Sequence, residues 1–581
     1  MSPREIKTRD TTQIGSCSVA SMAIDSTQQP SAVKCPGQAG IPSLLDATLE
    51  DLQQGLEAKL FTSVDLVNAY TARIEEVRDE LKAVREINPD ALRIAQGLDM
   101  ARAEGNIFGP LHGIPILVKD NISTDDNMDT TAGSYALAGA RFSEDSTVAR
   151  SLRKNGAIIL GKTNMCQWAG LRGTEYICIG WSATGGQTVG SYFQGQTPGG
   201  SSGGSGVASS IGLAFACLGT ETFGSITRPA ELNNIVGIKP SVGLTSRHGV
   251  VPYTSHQDTV GTLARTVKDG AHLLTAIAGR DSNDPCTGKI PFAPLPDYVA
   301  ACKRSGLAGK RIGVTRKHIH ETLVFWPSTS DCIEKAFDKA LDALRSAGAT
   351  VVDNIDSPEL TQLLGKLYDL ELITHGAEFR RDLQEYLSKL KVNPQHIRSV
   401  GDLVKFTQGH DREKYPCPDT KAWERALEAD AEAAETVRKE LCLEGDEWVT
   451  GTLQSYGLDA FVCPSLLPSN LTGFLGLPVV TVPLGRMPKG TEVAPEWGAR
   501  IPFGISFWGE KWSDGALIGM AYAFEQTTMH RQESVPVVKP KTDLCDVVRE
   551  RREAEAKDAE GGEQLSAGEG SGSGAGRTTW R

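Results

Sequence analysis

A chain of 581 residues is longer than one ordinary hydrophobic core organises, and its 40% hydrophobic and 23% charged content is that of a folded globular protein, which sets aside fibrous and wholly disordered classes. With 60 Lys+Arg against 72 Asp+Glu the formal net charge is −12, so no overall positive field exists to attract a nucleic-acid backbone or an anionic membrane surface. The twelve cysteines are scattered, without a C-x-x-C pair or a Cys/His cluster at metal-ligand spacing, and read as free, mostly structural thiols of a reducing compartment.

Residues 1–40 mix charged and Ser/Thr-rich positions and lack the apolar core of a secretory signal, so they are expected to be a flexible segment. No run approaches 18 consecutive apolar residues, and the final residues carry no peroxisomal or endoplasmic-reticulum retrieval signal. The expectation is a cytoplasmic protein without a membrane span.

Between 62 and 81, Leu66, Val67, Tyr70 and Ile74 recur at helical spacing behind the N-cap candidates Thr62 and Ser63. The short apolar run 114–118 follows Gly113 and predicts a buried strand ending at Lys119. Val148 and Leu152 with Gly156 just beyond predict a helix over 145–155 with a glycine C-cap, and 157–160 a second strand. The alternation returns at 311–314, in the helical pattern of Ile333, Phe337, Leu341 and Leu344, and at 350–352. Such β-α-β units predict an α/β fold with a large mixed, mostly parallel β-sheet flanked by helices on both faces. Residues 360–445, rich in charge and helix formers, are expected to be a helical insertion. The Glu/Lys-rich and then Gly/Ser-rich tail 551–581 is expected to be disordered, because it cannot bury enough apolar area to offset ordering entropy.

The most unusual stretch is 199–206, Gly-Gly-Ser-Ser-Gly-Gly-Ser-Gly, with a further serine, Ser225, 24 residues after Ser201. Glycines let backbone N–H groups approach an anion or oxyanion closely. A flexible linker fits poorly between an aromatic, polar segment (181–192) and a small-residue apolar run (207–218). A phosphate-binding loop would need a terminal Gly-Lys-Ser/Thr or G-x-G-x-x-G, and neither is present. A nucleophile elbow matches formally at Gly199-Gly200-Ser201-Ser202-Gly203; it would need a later acid and base, for which Asp258 and His272 or His375 are available.

A wider set of motifs decides among these. Gly109-Pro110-Leu111-His112-Gly113-Ile114-Pro115, Val118-Lys119-Asp120-Asn121, the segment 156–164, Gly180-Trp181-Ser182, the loop 199–206, Gly219 through Ile226, Ile235-Val236-Gly237-Ile238-Lys239-Pro240, Arg265-Thr266-Val267 and Ala521-Tyr522-Ala523-Phe524-Glu525-Gln526 together resemble the amidase signature family over roughly residues 45–530. The resemblance implies an amidase domain over 41–545 and a Ser-cisSer-Lys triad carried over as Ser225 (nucleophile), Ser201 (the serine after a cis peptide) and Lys119 (base). It implies an oxyanion hole from the backbone N–H groups of Thr222, Phe223, Gly224 and Ser225, with Ser201 also facing substrate. No metal or cofactor is implied, the partner is a small-molecule amide substrate, and a homodimer stays compatible with the sequence.

Ser202 and Ser205 are read as loop supports, His112 as a packing residue and Asp258 as a holder of nearby backbone. Two positions depart from the family pattern: Phe223 stands where relatives carry small or acidic residues, and Arg228 lies one position later than the usual arginine. The leading function is hydrolysis of a carboxylic amide through an acyl-Ser225 intermediate. The alternatives are a glutaminase-type subunit of an amidotransferase, an acyl-transferring biosynthetic enzyme and a non-catalytic scaffold.

Overall fold

The periodic segment predicted at 62–81 is the helix Ser63–Leu81. Thr62 is its N-cap and forms a capping box with Asp65, and the helix ends on Lys82 in the left-handed conformation. The next predicted helix is Thr147–Lys154, and Gly156 beyond it has φ +79, where a Cβ would also stand 2.7 Å from His112 Cα. The computed structural model describes residues 40–173, 178–323, 327–465, 467–491 and 498–569, so the expected flexible segment, Gly40 apart, lies outside the described residues.

The first strands are β1 (Val84–Ile87), β2 (Pro115–Lys119), β3 (Arg141–Phe142), β4 (Ile158–Thr163), β5 (Trp181–Ser182), β6 (Gly186–Gln187), β7 (Ala216–Glu221), β8 (Val236–Lys239) and β9 (Thr259–Ala264). They are followed by β10 (Arg311–Val314), β11 (Thr350–Asp353), β12 (Leu390–Val392), β13 (Ala460–Pro464), β14 (Val479–Arg486) and β15 (Pro502–Trp508). Eleven of these strands make one sheet in the order β1-β4-β2-β7-β9-β8-β14-β15-β13-β10-β11.

The mixed α/β sheet is as expected, but its parallel character is not dominant. Only β2–β4, β2–β7, β10–β13 and β10–β11 are parallel, whereas β1–β4, β7–β9, β8–β9, β8–β14, β14–β15 and β13–β15 are antiparallel. The β-α-β units visible in the sequence lie toward the two ends of the sheet. The central strands β7, β9 and β15 are buried at every position, so they lack the alternation that marks an antiparallel strand with one wet face.

Residues 360–445 fall within the helices Pro358–Ser388, Val400–Gly409, Lys421–Glu428 and Ala431–Tyr456. This helical segment is joined to the body by β12 pairing with β3 and by Glu413. The buried Glu413 carboxylate accepts from Arg172 Nη1 at 2.8 Å, Gln167 Nε2 at 2.5 Å, Ser134 Oγ at 2.8 Å and the Tyr135 N–H at 2.7 Å.

Residues 551–569, expected to be disordered, instead belong to the helix Leu544–Glu569. Tertiary anchors compensate for its polar composition: Leu544 and Val548 are fully buried, and Arg551 Nε reaches Asp65 Oδ1 at 2.9 Å. Residues 570–581 lie outside the described residues. The described cysteines are free thiols except Cys545, which is disulfide-bonded and so departs from the thiol expectation. Among the described residues no helix is long and apolar enough to cross a membrane.

Candidate active site

Lys119 is the last residue of β2, whose parallel register with β7 (Ile116 with Ala216, Leu117 with Cys217, Val118 with Leu218) carries the lysine to the level where β7 presents Thr220. Its Nζ donates to Ser201 Oγ at 2.7 Å, to the Thr220 carbonyl at 3.0 Å and to Thr220 Oγ1 at 2.8 Å. Asn121 Nδ2 donates to the same Thr220 hydroxyl at 3.0 Å. The side chain is fully buried and makes no ion pair among the described residues. Burial pulls its pKa down to about 7, only partly offset by Cys166, Asp258 and Glu221. A neutral amine, able to accept a proton, is therefore well populated near neutrality.

The peptide between Gly200 and Ser201 is cis. Ser202 Oγ donates to the Thr220 carbonyl at 3.1 Å, and Ser205 Oγ is bonded to Thr163 Oγ1 at 2.7 Å and donates to the Leu218 carbonyl at 3.0 Å. These hydroxyls fasten the glycine-rich loop and the helix Gly203–Ser210 onto β4 and β7. Gly204 admits the close approach, since a Cβ there would lie 2.4 Å from the carbonyl oxygens of both Ala83 and Asn164.

Ser225 follows β7 in a tight loop. The Ser202 N–H donates to the Ser225 carbonyl at 3.2 Å, which ties the two serine-bearing loops together, and Gly224 has φ +72. The Glu221 carboxylate accepts the N–H groups of Ile226 at 2.6 Å and Thr227 at 2.9 Å and so holds the downstream side of the loop. Among the described residues, the backbone N–H groups of Thr222, Phe223, Gly224 and Ser225 meet no protein acceptor. Backbone donors without a protein acceptor are free to bond an acceptor atom of a ligand.

Asp258 accepts from Thr222 Oγ1 at 2.6 Å and from the N–H groups of Tyr253 and Thr254 at 2.7 and 3.1 Å, so it supports the nucleophile loop as well as its own turn. Burial pushes its carboxyl up to about 6 against those hydrogen bonds. Phe223 stacks on His375, with centroids 5.7 Å apart and planes 13° from parallel, and meets Tyr253 edge-on at 6.2 Å. Arg228 is ion-paired with Glu231.

The elbow reading of the glycine loop does not hold. Ser201 is bonded to Lys119 and to neither histidine, since His272 lies 3.9 Å from Glu50 and His375 is bonded to Gln257 at 2.7 Å. His112 is bonded through Nε2 to the Leu98 carbonyl at 2.9 Å and accepts from the Phe108 N–H. Three contributors were not singled out from the sequence: Thr220, Asn121 and Glu221. Glu221 carried the clearest signal, a carboxylate closing an otherwise uncharged strand four residues before a serine.

Comparison with known proteins matches the family model Amidase to residues 65–518. The chain belongs to the amidase family. An Arthroderma benhamiae protein assigned to the amidases is 44% identical over 540 residues, covering 88% of this chain and 90% of that protein. The crystal structure of peptide amidase from Stenotrophomonas maltophilia superposes with a TM-score of 0.74 at 36% identity, covering 85% of this chain and 98% of that one. A glutamyl-tRNA(Gln) amidotransferase component from Methylocella silvestris is 36% identical over 344 residues, 59% of this chain and 66% of that protein. Amidase-family membership accounts for the mixed sheet and for the segments quoted from the sequence.

Proposed function

We propose that this amidase hydrolyses a carboxylic amide through an acyl-enzyme on Ser225, with Ser201 and Lys119 as its proton relay. The observation that carries the reading is the 2.7 Å bond from Lys119 to Ser201, made by a lysine that burial holds near neutrality. An amide is a poor electrophile with a poor leaving group, so attack needs a base and departure needs an acid. Neutral Lys119 takes the Ser201 proton while Ser201 takes that of Ser225, and Ser225 Oγ adds to the carbonyl carbon. The unsatisfied N–H groups at 222–225 receive the oxyanion. The relay then returns the proton to the nitrogen, the C–N bond breaks, and water, deprotonated along the same path, releases the acid from Ser225.

The peptide amidase likeness makes peptide amides the first substrates to try. Ser225→Ala should abolish both amide turnover and labelling by a fluorophosphonate probe while the fold is retained by circular dichroism. Turnover by that variant at the wild-type rate would sink the assignment.

The amidotransferase likeness supports one second reading, a glutaminase component that passes ammonia to a partner. Free glutaminase activity that appears only with copurified partner proteins would favour it. Product analysis with added amines separates hydrolysis from acyl transfer, since water and amine attack the same ester.

A further inference from the structure

A cavity of about 960 Å³ lies between the helical segment and the body, and Ser255, His256, Lys289 and Lys511 are among the body residues that line it. Most of its charged lining is already matched. Arg438 is paired with Glu435 at 2.6 Å, Arg381 with Asp382 at 2.8 Å and His256 with Glu378 at 2.8 Å, while Arg380 donates to the backbone carbonyls of Ala426, Leu427 and Ala429.

Lys289 and Lys511 are different. Neither makes an ion pair or hydrogen bond with any described residue, and both line the cavity. Lys511 is half-buried, with its ammonium 5.4 Å from the Trp512 ring centroid. Burial holds its pKa below the usual lysine value, and the nearby charges of Lys289 and Arg247 press it further down, while Cys286 and Asp446 act the other way. Asp446 and Glu432, on the same cavity, also lack ion-pair partners among the described residues, and burial pushes the Asp446 carboxyl up, which weakens the acid that acts on Lys511 from the helix Ala431–Tyr456. Like charges held together in a concave, partly dehydrated site are relieved by a counter-ion.

We propose that this cavity, which none of Lys119, Ser201 and Ser225 lines, is a binding site for a small carboxylate- or phosphate-bearing anion held by Lys511 and Lys289. Lys511 supplies the buried contact. Lys289, which is exposed, supplies capture.

Calorimetric titration of the full chain with inorganic phosphate and with citrate, each against sodium chloride at matched ionic strength, tests it. The expected result is saturable binding of at least one probe, weakened tenfold or more by Lys289→Ala with Lys511→Gln, and tightened by Asp446→Asn, which removes the opposing charge. A preference for phosphate or for citrate tells which anion class the site takes. The Lys289→Ala single variant, at an exposed position, keeps the test open where the double variant fails to fold, and it should weaken binding at least threefold with amide turnover unchanged. Absence of saturable binding by wild type with both probes, or equal binding by the folded variants, overturns the proposal.

Discussion

The proposed role of Lys119 as base ties turnover to pH. With its pKa near 7 and the neutral amine as the proposed base, kcat/KM should fall about tenfold per pH unit below 7 and level off above it, because protonation occupies the lone pair that receives the Ser201 proton. A pH–rate profile on a non-ionising amide checks the sign; an acid limb centred near 4 would point to a carboxylate instead. Lys119→Met removes the base while keeping the bulk, and should lower kcat by about 10² to 10⁴. Phe223, two residues before Ser225, makes its own prediction. Phe223→Ala removes the ring stacked on His375, whose imidazole is held neutral by burial with its pKa down to about 3. The ratio of kcat/KM for bulky over small acyl groups should rise by about tenfold, a change typical of a pocket enlarged by a few methylenes, and a panel of acyl amides reads it directly. Lys119, Ser201 and Ser225 stand out in the sequence because each lies inside a run of unusual residues, and the structure brings the first two within one hydrogen bond. Thr220 and Asn121 were not, since a threonine on a buried strand and an asparagine after a strand have many uses until the sheet register sets them beside the lysine.

At the scale of elements, Glu413 is the most heavily bonded side chain linking the helical segment to the body, beside the β12–β3 pairing. Glu413→Ala would leave Arg172 buried without its counter-charge and several donors unmet, so unfolding free energy should drop by about 3–5 kcal/mol. Urea denaturation measures it, and a loss under about 1 kcal/mol would mean that β12 and the aromatic contacts carry the attachment alone. The helices themselves were readable from periodicity and caps, as Thr62 and Gly156 show. Strand direction was not. Full burial of β7 and β9 erased the period-two signature, and nothing local in the sequence records that β9 runs between β7 and β8. The helix at 551–569 was missed for a related reason: composition reports what a segment can bury by itself, whereas Arg551 and Val548 find their partners hundreds of residues away.

On the scale of the whole molecule, the last described helix is part of the structure. A chain ending at Lys541 would lose Leu544 and Val548, each worth about 1.5–3 kcal/mol of burial, and should melt at lower temperature with the geometry around Ser225 intact. Calorimetry on the truncated protein, with active-site titration as control, checks both halves of that statement. The same region also bears on how the chain is made. Arg73 donates to the carbonyls of Ile211 and Gly212, just past the glycine-rich loop and its helix, and its third acceptor is the carbonyl of Thr542, 469 residues away. The Leu44 N–H likewise finds its acceptor in Asp543, a separation of 499 residues. A ribosome must therefore have passed Thr542 before the Arg73 guanidinium is fully satisfied. Until then the Arg73 guanidinium and the Leu44 N–H of the nascent chain lack these acceptors, so their native contacts can be completed only late in synthesis.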